Sequence, residues 1–395
     1  MRRLLLLVGA VVLVDTMFFS AITPLLPTYV ERFDLSKAGA GVLSGSYAAG
    51  AVIGTLPAGW LAVRAGSRRT LLLGLSLMAV SSVGFAFAGS VALLDLLRFV
   101  DGIGGACAWT GGMGWLVSVT PAEQRGTTIG KAMSAALAGV LLGPVLGAVA
   151  QGVGPEVPFS VVGLFAASLA VVASRMPAPS VAALGVVERP YVTAWRETRV
   201  RLGAWLVMVP ALVFGTVEVL APLALDGLGA SGLAIGAVFL VAAAIEGVAQ
   251  VFAGRATDRL GRGAPIRLGL TGTLAFLLVV TVPQVAWLLA AVVVAGCVLS
   301  GIVNTPAMTL MSDGVDRAGV EHGLGFAIVN FVWGGGQVVG AVAGAALAGA
   351  TSDVVPYLLL ALVCAGTLAG LRGRSAALAP TAMRTASSAA RPVHS

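Results

Sequence analysis

Twelve apolar runs of 18 to 27 residues, separated mostly by short polar connections, constrain this chain more than any other feature. They fall at roughly 4–28, 38–62, 70–89, 91–116, 127–150 and 158–176, then 202–224, 232–253, 266–283, 286–311, 323–349 and 354–371. A helix needs about 20 apolar residues to cross the hydrocarbon core of a bilayer. A spanning segment must also satisfy its own backbone, which leaves helices or a closed β-barrel. Barrel strands are about 10 residues of alternating character, so these continuous runs predict transmembrane helices. Composition agrees, since only 10% of the 395 residues are charged and the mean hydropathy is +0.99. A soluble domain carries roughly 25% charged residues. A soluble enzyme, a nucleic-acid binder and a disordered hub are excluded.

The runs group as six and six. Residues 177–201, with Pro177, Pro179, Glu188, Pro190, Glu197 and four arginines, form the only long polar connection between runs. Two bundles are therefore expected, 1–176 and 202–371, joined by a cytoplasmic linker, with a disordered Ala/Ser/Pro-rich tail over 372–395. Met1-Arg2-Arg3 before an apolar run mimics a secretory signal. Asp15 interrupts that run and no small-residue cleavage site follows, so it reads as an uncleaved first helix. With the N-terminus inside, the inner segments hold twenty-one of the 24 basic residues and the outer connections only Arg32 and Lys37. This asymmetry predicts both termini in the cytoplasm, and it replaces the nucleic-acid reading of a net charge of +7. Cys107, Cys297 and Cys364 lie in apolar runs and suggest neither a disulfide nor a metal site.

An internal repeat supports the division. A shift of 195 residues superposes Pro27 on Pro222, Ser36 on Ser231, Gly59 on Gly254, Arg64 on Arg259 and Gly66 on Gly261. A shift of 197 places Gly139, Gly143 and Gly147 on Gly336, Gly340 and Gly344. Two such halves are how one class of transporter builds a site at the bilayer midplane.

Four stretches carry finer signals. The connections GWLAVRAGSRR (59–69) and GRATDRLGRGA (254–264) combine Gly59, Arg64 and Gly66 with Gly254, Asp258, Arg259, Gly261 and Arg262. Their arginines also read simply as positive-inside anchors. Run 4 contains LLRFVDGIGGA (96–106), where Asp95 and Asp101 each lie three residues from Arg98. Both can reach it along a helix, either as a relay or as a self-neutralised triad that only orders the bundle. Run 5 carries Gly130, Gly139, Gly143-Pro144 and Gly147, a groove for close helix packing with a proline that bends it. Run 1 reads LVDTMFFSAITPLLPTY (13–29), placing Asp15 at depth, where an ionised carboxylate is costly.

These motifs resemble the major facilitator superfamily. The two loops look like its G-x-L-A-D-R-x-G-R-R motif, although Val63 and Ser67 replace an acidic and a basic residue in the first copy. Run 4 is similar to its R-x-x-Q-G segment, with Asp101 for glutamine. Run 5 is similar to the antiporter motif G-x8-G-x3-G-P-x2-G-G, with Ala148 for the last glycine. Run 1 resembles the first helix of the drug:H⁺ antiporters with twelve spans. The resemblance covers residues 4 to about 371. It implies an all-α integral membrane protein of twelve helices in two pseudo-symmetric six-helix bundles. It further implies a proton-coupled exporter of small lipophilic or cationic molecules, such as drugs or antibiotics, working by alternating access.

On that resemblance Asp15, Arg98, Asp101, Glu218 and Glu246 are candidates for substrate binding and proton coupling. Glu218 and Glu246 correspond to Thr23 and Ala51 in the repeat, and structural hydrogen bonding suits them equally well. Trp109, Asn330, Trp333 and Gln337 are candidates for lining the cavity. Asn330 and Trp333 share a helix face and Gln337 follows one turn later. No cofactor or metal is expected beyond the proton motive force; the partners would be the substrate, protons and lipid. A monomer in a bacterial cytoplasmic membrane is expected, the Gly/Ala/Arg richness suggesting a GC-rich genome. No nucleophile–base pair, Walker-type loop or metal-ligand spacing points to an enzyme. The alternatives are an uptake symporter, an exporter of a sugar or neutral metabolite and, more remotely, a non-transporting membrane sensor.

Overall fold

The computed structural model describes residues 2–121, 124–177, 190–318 and 322–372, with the side chains of 126, 190–192, 258, 322–326 and 372 outside the description. All regular elements among the described residues are helices. The first six runs become α1 (Arg2–Ser20) and α2 (Ile22–Phe33), α3 (Lys37–Ala65), α4 (Ser67–Ala86), α5 (Val91–Ser118), α6 (Arg125–Val153) and α7 (Glu156–Arg175). A short α8 (Pro190–Arg196) lies in the central connection, most of which is outside the described residues, as is the tail beyond 372. The second set comprises α9 (Thr198–Gly227), α10 (Gly232–Leu260), α11 (Gly263–Val279), α12 (Ala286–Gly301), α13 (Asn304–Arg317), α14 (His322–Ala350) and α15 (Val354–Arg372).

Ten segments among the described residues are long and apolar enough to cross a membrane, counting α1–α2 and α12–α13 as one each. The apolar α11 is shorter, and α5 carries three charged residues, so neither is among the ten. Every apolar run in the sequence thus has its helix. Two runs are broken rather than continuous. Pro24 has no N–H for the Ser20 carbonyl, and Pro306 has none for that of Ile302. The helices stop at Ser20 and at Gly301 accordingly. Both breaks lie near the middle of their runs, and both matter below.

Within the first half α1 packs on α6, α3 on α5, and α4 on α5 and α7. In the second, α9 packs on α14 and α13, α10 on α12, and α11 on α15. The glycine groove shows how closely the halves repeat one another. A Cβ on Gly139, Gly143 or Gly147 would run into the Leu13, Met17 or Ala21 carbonyl of the first run. A Cβ on Gly336, Gly340 or Gly344 would run into Met208, Leu212 or Thr216 of α9. Those partners are themselves related by the shift of 195. Hydroxyls stitch both seams: Thr16 donates to the Ala136 carbonyl at 2.9 Å and Thr216 to that of Gly340 at 3.0 Å. The seam is therefore a feature of both halves; only Pro144 belongs to the first alone, its counterpart being Ala341.

The cytoplasmic-type loops differ between the halves. Arg262 donates to Asp313 at 2.6 Å and Arg199 reaches the same oxygen at 3.4 Å, tying the starts of α9 and α11 to the end of α13. The repeat places Ser67 opposite Arg262 and Ser118 opposite Asp313, so the first half lacks both members of this pair. There Arg68 donates to the Ser174 carbonyl instead. Arg64 lies over the Trp60 ring at 4.5 Å, while Gly66 and Gly261 turn the chain with φ of 87° and 76°. Such positive φ values suit glycine. The Asp258 side chain lies outside the described residues.

The two halves meet at the end away from the termini. Lys37 at the start of α3 pairs with Asp353 just before α15. Gly41 and Gly45 lie against Ala341, Val342 and Ala345 of α14, and Gly236 and Gly247 of α10 against Pro144, Ala148 and Leu137 of α6.

Candidate functional site

Asp15 sits midway along the first run and is buried. Its two oxygens are each occupied by a neutral donor. Tyr47 Oη donates to Oδ1 at 2.8 Å and Trp109 Nε1 to Oδ2 at 2.7 Å. No cationic side chain among the described residues lies within ion-pair distance of it. Gly105 makes this arrangement possible, because a Cβ there would overlap Asp15 Oδ1 and stand 2.8 Å from the Tyr47 hydroxyl. Close approach of α3 to α5 at Gly50 and Gly102 brings Tyr47 to that point. Trp109, a candidate for lining the cavity, is a donor to the carboxylate. Tyr47 was not anticipated, although a tyrosine in a helix otherwise rich in Gly, Ala and Ser is a usable signal.

Arg98 does not form the self-neutralised triad that was one of the two readings of this stretch. It is buried, yet neither Asp95 nor Asp101 comes within ion-pair distance. Its Nη2 donates to the Phe19 carbonyl at 3.3 Å and the guanidinium lies over the Tyr47 ring at 5.7 Å. The break after Ser20 is the cause: the last carbonyls of a helix lack intrahelical donors, and Arg98 supplies one. Asp101 turns the other way and accepts from Ser81 Oγ at 3.0 Å, leaving Oδ2 unpartnered. Asp95 is half-buried near the start of α5. The three side chains share a helix without a direct ion pair among them.

Glu218 is buried in α9 and accepts from Gln337 Nε2 of α14 at 3.1 Å. Thr23 of α2 lies close by. Thr23 is the repeat counterpart of Glu218, so equivalent positions of the two halves meet near the axis that relates them. Glu246 lies elsewhere, on α10, where it accepts from Gln250 Nε2 at 2.9 Å. It borders a small cavity within the second half, together with Trp333, which packs against Phe214 at 5.9 Å. Asn330, on the same helix as Trp333, is exposed and outside that cavity. Gly130 has open space around it.

Twelve apolar helical segments in two repeated halves, with buried carboxylates among them, give the architecture of a polytopic membrane transporter. The chain belongs to the Major Facilitator Superfamily, whose family model matches residues 8–324. It is similar to the MFS-type transporter ppzB of Metarhizium rileyi, with 34% identity over 121 residues, 29% of this chain and 25% of that protein. It is similar to the human synaptic vesicular amine transporter, with 41% identity over 76 residues, 19% of this chain and 15% of that one. The matched stretches thus span a quarter or less of these two relatives. Among solved structures, the inward-facing, unoccupied form of a bacterial homolog of the human lysosomal transporter Spinster superposes with a TM-score of 0.73. The sequences are 14% identical, over 95% of this chain and 96% of that one, a likeness of fold alone.

Proposed function

We propose that the protein is a proton-coupled exporter of small lipophilic or cationic molecules that works by alternating access. The observation that carries this reading is Asp15, a buried carboxylate held by two neutral donors with no cation in ion-pair reach among the described residues. Such a group accommodates a proton without breaking a salt bridge. A proton on Asp15 and a cation in the cavity are then alternatives, because each adds positive charge to the same low-dielectric interior. Protonation from outside expels the cation, and loss of the proton inside readmits it. Arg98, with Asp101 behind it, serves as the charge switch, since its guanidinium lies over the ring that bonds Asp15. With both termini cytoplasmic, the contacts between Lys37 and Asp353 and between α3 and α14 close the outer side. This is the inward-facing state, in a monomer with the 1–176 and 202–371 bundles as the rocking halves. Similarity to a protein named as an amine transporter, over a limited stretch, fits a cationic substrate.

The test is reconstitution into proteoliposomes with an imposed pH gradient, using wild-type protein and Asp15→Asn. Wild-type vesicles are expected to release protons as a cationic dye enters, and Asp15→Asn to lose that exchange. Normal gradient-driven transport by Asp15→Asn, or proton uptake accompanying substrate entry, overturns the reading.

A further inference from the structure

Arg98 and Asp101 lie one turn apart on α5, and each carries a buried polar atom without a hydrogen-bond partner. In Arg98 that atom is Nε, a donor; in Asp101 it is Oδ2, an acceptor. Side chains three residues apart on a helix can meet, yet these two form no ion pair. The contacts they make instead explain the separation. Arg98 Nη2 is drawn to the Phe19 carbonyl, beside the break after Ser20. Asp101 Oδ1 lies 3.0 Å from Ser81 Oγ, which is also 3.2 Å from the Met78 carbonyl. A hydroxyl has one hydrogen, so Ser81 cannot serve both acceptors at once. A proton on Asp101 resolves this by reversing the bond: the acid donates to Ser81 Oγ, and Ser81 donates to Met78. An ionised Asp101 would have one shared donor and a bare second oxygen, and burying a charge so poorly bonded is costly. Asp15, in contrast, receives a donor on each oxygen. The titratable groups that act on Asp101 are Asp15 of α1, Tyr47 of α3 and Arg98 of its own helix. From α4 it meets the Ser81 hydroxyl, and Glu218 of α9 acts on Arg98 from the second half.

We infer that Asp101 is a second proton-binding site, loaded in this state, whose proton decides whether Arg98 holds the Phe19 carbonyl or Asp101 itself. With the proton on, Asp101 bonds Ser81, and Arg98 ties α5 to the break in the first run. With the proton released to water, the two unpartnered atoms pair, Arg98 leaves Phe19, and the break is freed to move. Only hydrogen bonds and one proton change hands. The inference rests on the proton-coupled reading above and adds to it a second acid and the element that this acid controls. Asp15 and Asp101 then have different duties: the first competes with the substrate, and the second sets the grip of α5 on the first run.

Infrared spectra of the detergent-purified full chain, isotope-labelled at its aspartate carboxyls, test the protonation directly. Wild type at neutral pH is expected to show a protonated-aspartate C=O band that Asp101→Asn lacks. Ser81→Ala should shift that band, and it decides the matter if Asp101→Asn does not fold. Raising the pH should remove the band, and in Arg98→Gln, which cannot offer the ionised acid its partner, removal should need about one pH unit more. In proteoliposomes Asp101→Asn, fixed in the neutral form, should lose pH-driven transport at least tenfold, and Asp101→Glu should restore part of it. A wild-type spectrum without the band, a band untouched by the Asp101 or Ser81 variant, the same pH dependence in Arg98→Gln, or normal transport by Asp101→Asn overturns the switch. Wild-type transport that moves no protons, with the Asp101 band titrating as described, would overturn the antiport reading and leave the proton site standing.

Discussion

Trp109 on α5 donates its indole N–H to the Asp15 carboxylate of α1 at 2.7 Å, joining two helices that are 94 residues apart in the chain. The bond gives the buried acid a neutral partner on one oxygen, as Tyr47 does on the other. Replacing Trp109 by Phe keeps an aromatic ring and removes the donor. A hydrogen bond to a charged group contributes about 1.5–3 kcal/mol, so proton-driven uptake in proteoliposomes is expected to fall about tenfold or more. Elution from a sizing column should remain unchanged.

Gly105 and Gly102 separate function from folding on one helix. A methyl at position 105 meets only the Asp15 carboxylate and the Tyr47 hydroxyl, whereas at 102 it meets the Tyr47 carbonyl and the Ala51 nitrogen. Gly105→Ala is therefore expected to fold and to lose coupled transport. Gly102→Ala forces two helix backbones apart; overpacking typically costs about 1–3 kcal/mol. Thermal unfolding in detergent should show a lowered Tm for Gly102→Ala and a near-native one for Gly105→Ala.

Because the glycine seam is built twice, damage to either copy should look alike. Gly143→Ala meets the Met17 carbonyl and Ser20, and Gly340→Ala meets the Leu212 carbonyl. Both variants are expected to lose thermal stability by similar amounts, with a Tm drop of several degrees. A seam peculiar to antiport chemistry would instead leave Gly340→Ala stable and only Gly143→Ala inactive.

The contact between Lys37 and Asp353 closes one end of the two halves. Cysteines at these positions, in a background without Cys107, Cys297 and Cys364, should be joined by a short reducible bifunctional thiol reagent. Alternating access requires this contact to open, so transport should cease on cross-linking and return with reductant. Continued transport by the cross-linked protein would show that the halves do not separate there.

At the cytoplasmic-type end of the second half, Asp313 receives both Arg262 and Arg199. Asp313→Ala leaves two nearly buried guanidinium groups without this carboxylate. Breaking a buried ion pair by removing one partner costs about 3–5 kcal/mol, and partial exposure of Asp313 reduces that here. A Tm lowered by several degrees is the expected outcome, with a smaller change for Ser118→Ala, the counterpart position in the first half.

The repeat was legible from spacing alone, and so was the glycine seam it carries, because helix packing at small residues leaves a period in the sequence. The partner of Arg98 was not legible. Two aspartates at i−3 and i+3 suggested either a relay or an ion triad, and the guanidinium donates to a carbonyl freed by the break in a different helix. Likewise, sequence reasoning offered Trp109 as a cavity residue without linking it to Asp15, to which its indole N–H donates.

What the sequence determined by itself is where the apolar helical segments lie and the repeat that relates the two sets of six. Burial in lipid is a one-dimensional requirement, read by each segment independently of its neighbours. Membership of the transporter family followed from local motifs for the same reason. Tertiary structure alone decided which of six intramembrane charges share an environment. It set Asp15 between Tyr47 and Trp109, Glu218 against Gln337, and Glu246 beside the break at Gly301. The reason is physical: a side chain at depth bonds to whatever donor or acceptor another helix brings within about 3 Å, and helix crossings, not sequence spacing, set that distance.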